Sequence, residues 1–187
     1  MKHTLLAAAL LGASALSYSA GFAVHSPEIK AASPMAKKFE FNGFGCAGDN
    51  QSPTLQWSHV PAGTKSFAVT VYDPDAPTGS GWWHWLVINV PADVSALEAN
   101  AGAEGGAHLP AGASHVRNDY GVSGWGGVCP PPGDKPHRYI FKVHALKVDK
   151  IDLPSNATAA LAGYMINANT LATARFTATY GRPAAKP

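Results

Sequence analysis

Ser66-Phe67-Ala68-Val69-Thr70-Val71-Tyr72-Asp73-Pro74-Asp75-Ala76-Pro77, followed after residues 78–81 by Trp82-Trp83-His84-Trp85-Leu86-Val87-Ile88-Asn89-Val90, reads as two strands joined by a stiff turn. Successive side chains of a strand point to opposite faces. Phe67, Val69 and Val71 therefore share one face of the first strand, with Ala68, Thr70 and Tyr72 on the other. His84 to Val90 places Leu86, Ile88 and Val90 on one face. Pro74 and Pro77 fix φ in the turn, and Asp73 and Asp75 can accept from nearby backbone N–H groups. A third strand is expected at 138–146, with Tyr139, Phe141, Val143 and Ala145 on one side and Arg138, Lys142 and His144 on the other.

Outward from these strands the chain is rich in turns. Glycine (19) and proline (15) outnumber what a helical bundle tolerates, which favours a mainly β domain with few helices. Residues 21–38 read as an extended arm, because Pro27 and Pro34 oppose a helix. Residues 92–136 form a long connection that either carries function or holds short strands of its own. Pro154-Ser155-Asn156 reads as the start of a helix over 158–168, with Leu161, Tyr164, Met165 and Ala168 as its core-facing stripe. A last strand is expected at 175–180. The resulting division is a removed leader at 1–20, an arm at 21–38, one domain at 39–182 and a tail at 183–187.

Met1-Lys2-His3 followed by the Ala/Leu-rich run from Leu5 to Leu16, and then by Ser17, Ser19 and Ala20, has the layout of a secretory signal peptide. The apolar run is too short to span a bilayer. The chain is therefore expected to be periplasmic or secreted. In an oxidising compartment the two cysteines, Cys46 and Cys129, are expected to form a disulfide. The net charge is +2 and the basic residues are scattered, so no nucleic-acid footprint is present.

The ionisable residues acquire meaning when the strand registers are extended. Phe67, Val69, Val71 leads on to Asp73, and Val90, Ile88, Leu86 leads back to His84. Ala145, Val143, Phe141, Tyr139 leads back to His137. If the first two strands are antiparallel, Asp73 and His84 meet at one rim. If the third runs in the same direction as the second, His137 arrives there too. A carboxylate beside two imidazoles favours their charged form, which can donate to an anion. Asp73 is assigned to orient a histidine and Asp75 to the turn. The glycines of 121–133 are expected to offer backbone N–H groups as an anion nest. Trp82 is expected in the pocket wall.

Asp73-Pro-Asp-Ala-Pro77, Trp82-Trp-His-Trp-Leu-Val-Ile-Asn89, Gly126-Gly-Val-Cys-Pro-Pro-Pro-Gly133 and His137-Arg138-Tyr139, in this order, resemble the phosphatidylethanolamine-binding protein family, also called Raf kinase inhibitor-like. The similarity is greatest to its bacterial, exported YbhB/YbcL branch. The resemblance implies a β-sandwich-like fold with a small anion cavity at one end and one or two peripheral helices. It implies that Asp73, Pro77, Trp82, His84, His137 and Tyr139 line the cavity, with Gly127, Pro130 and Pro131 in its wall. Phosphate, acetate-like ions and phospholipid headgroups are the ligands it implies. Trp83 and Val128 depart from the eukaryotic pattern and count against a kinase-inhibitory role.

The first functional expectation is a non-catalytic binding or regulatory protein without a cofactor or metal. An inhibitor or interaction protein acting on a protease or another exported or host partner is the alternative, and a homodimer stays open. A hydrolase ranks lower: Ser123 sits in Gly-Val-Ser-Gly-Trp, which misses G-x-S-x-G.

Overall fold

The alternating stretch at 66–73 becomes the centre of the molecule. In the computed structural model, which describes residues 21–184, β3 (Ser66–Asp73) is flanked by β4 (Trp82–Pro91) and β7 (His137–Leu146), antiparallel to both. The edges are β6 (Ser114–His115) and β8 (Thr170–Tyr180), giving the order β6-β4-β3-β7-β8. Because β4 and β7 both oppose β3, both begin at the rim where β3 ends. A smaller sheet, β1-β2-β5, consists of Ala23–His25, Leu55–Ser58 and Ala96–Leu97.

Both faces of the large sheet are covered, which explains why nearly every residue of β3 is buried. One face carries Phe67, Val69, Val71, Phe141 and Val143 against Leu55, Trp57 and Leu97 of the small sheet. The other carries Ala68, Leu86 and Ile88 against α1 (Ala159–Asn169). Among the described residues the fold is mainly β, with two sheets, one α-helix and a single 3-10 turn at Lys37–Phe39. The long connection holds β5 and β6. Residues 21–38 are knitted to both sheets, to the small one through β1 and to the large one through Met35 N–H, which donates to Thr179 O of β8 at 2.8 Å. The expected leader, residues 1–20, lies outside the described residues, as does the end of the expected tail. Among the described residues, no helix is long and apolar enough to cross a membrane.

The helix corrects two expectations. It starts at Ala159 because the Thr158 hydroxyl caps it, accepting from Leu161 N–H at 3.1 Å, while residues 154–157 form a turn. Its buried face is Ala159, Ala162, Gly163 and Ile166, whereas Leu161 and Tyr164 are exposed. Small residues face inward because the helix lies close to the sheet: a β-carbon on Gly163 would already stand 3.4 Å from the Trp83 indole. The helix ends where Thr170 Oγ1 donates to the Ile166 carbonyl at 2.8 Å, and β8 begins there, five residues before the expected start.

The faces of β4 also differ from the simple alternation. Leu86 and Ile88 point to the helix side, while Val90 lies with Phe67 in the inter-sheet core. The cause is a pair of register irregularities, one between the Phe67 and Val69 pairings and one between those of Val71 and Tyr72. In the second, Val71 opposes Trp85 and Tyr72 opposes Trp83, leaving His84 as the extra residue.

Candidate functional site

The rim joins the end of β3 to the starts of β4 and β7. Asp73, His84 and His137 are all buried there. His137 Nδ1 lies 2.8 Å from Asp73 Oδ2, and the other Asp73 oxygen accepts from Asp75 N–H at 2.8 Å, closing the turn on itself. Asp75 is held by Arg138, whose Nε and Nη2 donate at 2.8 and 2.6 Å while its backbone N–H donates at 2.9 Å. The Arg138 guanidinium keeps the Asp75 carboxyl down at about 2. The turn is thereby fastened to the first residues of β7.

His84 reaches the rim because of the bulge. Without it, His84 would share the helix-side face with Leu86. Its Nδ1 lies 2.7 Å from Gly126 O and 3.1 Å from Gly127 O. Both partners are acceptors, so Nδ1 carries a proton. Burial pushes the pKa of His84 down, against the opposing pull of the two carbonyls and of Asp73. The ring is therefore neutral near pH 7, and the expectation of a charged imidazole here is corrected. Nε2 is buried and has no partner.

A cavity of about 150 Å³ opens at this rim. Asp73, Pro77, Trp82, His84, Pro130, Pro131 and His137 all line it. Tyr139 and Gly127 stand behind the lining. Tyr139 is wholly buried with its ring centroid 5.1 Å from that of His84, and its hydroxyl has no partner. The Trp82 indole N–H is likewise buried and unpartnered.

The glycine loop does not form the expected nest. Trp125 N–H donates to Gly102 O, Gly126 to His84 O, Gly127 to Asn50 Oδ1 and Val128 to Phe39 O, at 2.7 to 3.1 Å. These donors are consumed by the fold, and the loop turns carbonyls toward the site. Its glycines serve close packing instead: a β-carbon on Gly127 would lie 2.6 Å from the Glu40 carbonyl carbon.

Tyr120, Phe44, Ala76, Thr78 and Cys129 also line the cavity and were not anticipated. Tyr120 is the hub of an aromatic wall, stacked 4.2 Å from Phe41 and meeting Trp82 and Phe44 edge-on at 5.2 and 5.4 Å. Its signal was the Asn118-Asp119-Tyr120-Gly121 turn inside the long connection. Phe44 is 74% exposed at the mouth. Cys46 and Cys129 form a disulfide, Cα atoms 6.0 Å apart, which fastens the Phe44 loop to the proline wall. Ser123 lines a separate cavity of about 300 Å³, together with His115 and Lys150. Among the described residues, no group of three His, Cys, Asp or Glu side chains is arranged to hold a metal.

The family model for phosphatidylethanolamine-binding proteins matches residues 26–181. The chain belongs to the phosphatidylethanolamine-binding protein family. YbcL of Escherichia coli is 55% identical over 180 residues, spanning 96% of this chain and 98% of the relative. YbhB of the same organism is 47% identical over 155 residues, 83% of this chain and 97% of that one. The crystal structure of E. coli YbcL, a new member of the mammalian PEBP family, superposes with a TM-score of 0.85 at 59% identity, covering 87% of this chain and 99% of that one. A homologue from Chlamydia trachomatis gives 0.71 at 30% identity, covering 87% and 98%.

Proposed function

We propose that this member of the phosphatidylethanolamine-binding protein family is an exported, non-catalytic protein that binds small ligands bearing a phosphate or carboxylate group. The observation that carries the reading is a pair of unpartnered polar atoms on residues that line the cavity, His84 Nε2 and the Trp82 indole N–H, with the unpartnered Tyr139 hydroxyl behind them. Buried polar groups are ordinarily paired, so two orphans on the lining of one cavity favour a polar guest. The Asp73–His137 pair places a carboxylate and an imidazole 2.8 Å apart on the same lining. The leader-like residues 1–20 and the disulfide favour a periplasmic or secreted location.

Calorimetry with inorganic phosphate and phosphoethanolamine tests the reading. Binding is expected to weaken as pH rises, because seating an anion beside Asp73 requires a proton on a histidine or on the ligand. His137→Ala is expected to abolish it. Unchanged affinity in that variant removes the assignment. A second reading, capture of an acidic group of a protein partner, is favoured by the exposed Phe44 at the mouth.

A further inference from the structure

We infer that His84 makes this cavity selective for oxyanions that still carry an acidic proton, namely phosphate and phosphomonoesters, over sulfate and phosphodiesters. The inference rests on the anion-binding reading and sharpens it.

The geometry begins with the bulge. It aims the His84 ring so that Nδ1 faces two carbonyl oxygens, of Gly126 and Gly127. Neither carbonyl can donate, so the proton of a neutral ring resides on Nδ1 and Nε2 presents a lone pair. That atom is buried and unpartnered in a residue only 2% exposed.

Around it stand groups from every neighbouring element. Asp73 comes from the end of β3, His137 and Tyr139 from β7, and Tyr120 from the long connection, its ring 5.6 Å from that of His84. Asp119, beside Tyr120, spends a carboxylate oxygen on Trp83 N–H at 2.8 Å. Burial raises the pKa of both Tyr120 and Tyr139, so their hydroxyls stay protonated. Burial also lowers that of His84, which keeps the lone pair in place.

The lining therefore combines an unpartnered donor, Trp82 N–H, with one obligatory acceptor, while the unpartnered Tyr139 O–H lies behind it. A monoprotonated phosphate or phosphomonoester matches this pattern, its P–O–H donating to Nε2 and its other oxygens accepting. Sulfate and a phosphodiester have no such proton near neutral pH. Either would set an oxygen lone pair against the lone pair of Nε2. Sites built around a buried hydrogen-bonding group reject analogues that leave it unpaired. Inorganic phosphate and a lipid headgroup share the phosphoryl chemistry but differ here, since a phospholipid phosphate is a diester.

The test is calorimetry of the purified protein at pH 6 with methyl phosphate, inorganic phosphate, dimethyl phosphate and sulfate. Methyl phosphate and inorganic phosphate are expected to bind at least about tenfold more tightly than the other two. His84→Gln, whose amide can donate as well as accept, is expected to narrow that ratio. Trp82→Phe, which removes the donor on the lining, is expected to weaken all four alike and leave the ranking intact. Comparable affinities for methyl phosphate, dimethyl phosphate and sulfate in the unaltered protein overturn the inference while leaving the anion cavity standing. Failure of all four to bind overturns both.

Discussion

Asp73 and His137, 64 residues apart in sequence, form a buried pair with Oδ2 and Nδ1 2.8 Å apart. The strands bring them together because β3 ends where β7 begins, and the Asp73 turn is locked from outside by Arg138 and Asp75. Removing one partner of a buried ionic pair typically costs about 3–5 kcal/mol, far more than an exposed pair contributes. Asp73→Asn can keep an oxygen for the Asp75 N–H but then turns its amide N–H2 toward His137 Nδ1, so it removes both the charge and that acceptor. The variant is expected to lose about 3 kcal/mol in urea unfolding at pH 7. A loss below about 1 kcal/mol would mean that the Asp73–His137 contact contributes little to the fold.

Gly127 tests the revised role of the glycine loop. Its N–H is committed to Asn50, and an added methyl would strike the backbone of residues 39–41. Backbone cannot swing aside as a flexible side chain can, so Gly127→Ala is expected to cost about 2–3 kcal/mol. It should also displace the carbonyl that faces His84. Thermal unfolding measures the first effect. A variant as stable as the parent would show that the loop is not close-packed.

How much of this was legible beforehand depends on the residue. The central strands, their rim and the meeting of Asp73 with His137 follow from period-two alternation, because β3 and β7 pair without a slip. His84 arrived at the expected place by a different route. Its assumed companions Leu86 and Ile88 face the helix, and only a bulge, invisible to alternation, turns the ring back. The helix face was misread for a related reason. Its large residues were taken as core, whereas close approach to Trp83 selects small ones. Tyr120 lay in a connection without periodicity, where long-range packing alone decides position.

Acid should destabilise the fold in a defined window. His144 is buried among Thr70, Thr170 and Thr173, and burial, aided by Lys142, holds its pKa down at about 4. The unfolded chain binds a proton at this group near its ordinary value of 6.5, where the folded protein refuses one. Stability is thus complete above that value and declines as pH falls toward 4, by about 3 kcal/mol from this group alone. His84, also depressed by burial, acts in the same direction. Asp75 stabilises the fold above 3.8 and loses that contribution only as pH falls from there toward 2, below this window. Melting curves at pH 7, 6, 5 and 4 should show a progressive fall that His144→Gln reduces. A flat profile between 7 and 4 would contradict the buried neutral ring.

The disulfide separates stability from site geometry. Cys46 and Cys129 are 83 residues apart, and a cross-link over such a loop stabilises by about 4.5 kcal/mol in the chain-entropy picture. Replacing both by serine should lower stability by that order in urea. The Phe44 loop nevertheless has other anchors. Glu40 accepts from Ala47 N–H at 2.7 Å and from the Tyr180 hydroxyl, while Arg182 donates to Gly45 O and, at 3.3 Å, to Pro130 O. Arg182 thus spans the two walls that the disulfide joins. Methyl phosphate affinity is expected to change less than about threefold in the double-serine variant and to fall at least about tenfold when Arg182→Ala is added. If the double-serine variant alone loses binding, the cross-link rather than Arg182 holds the mouth in place.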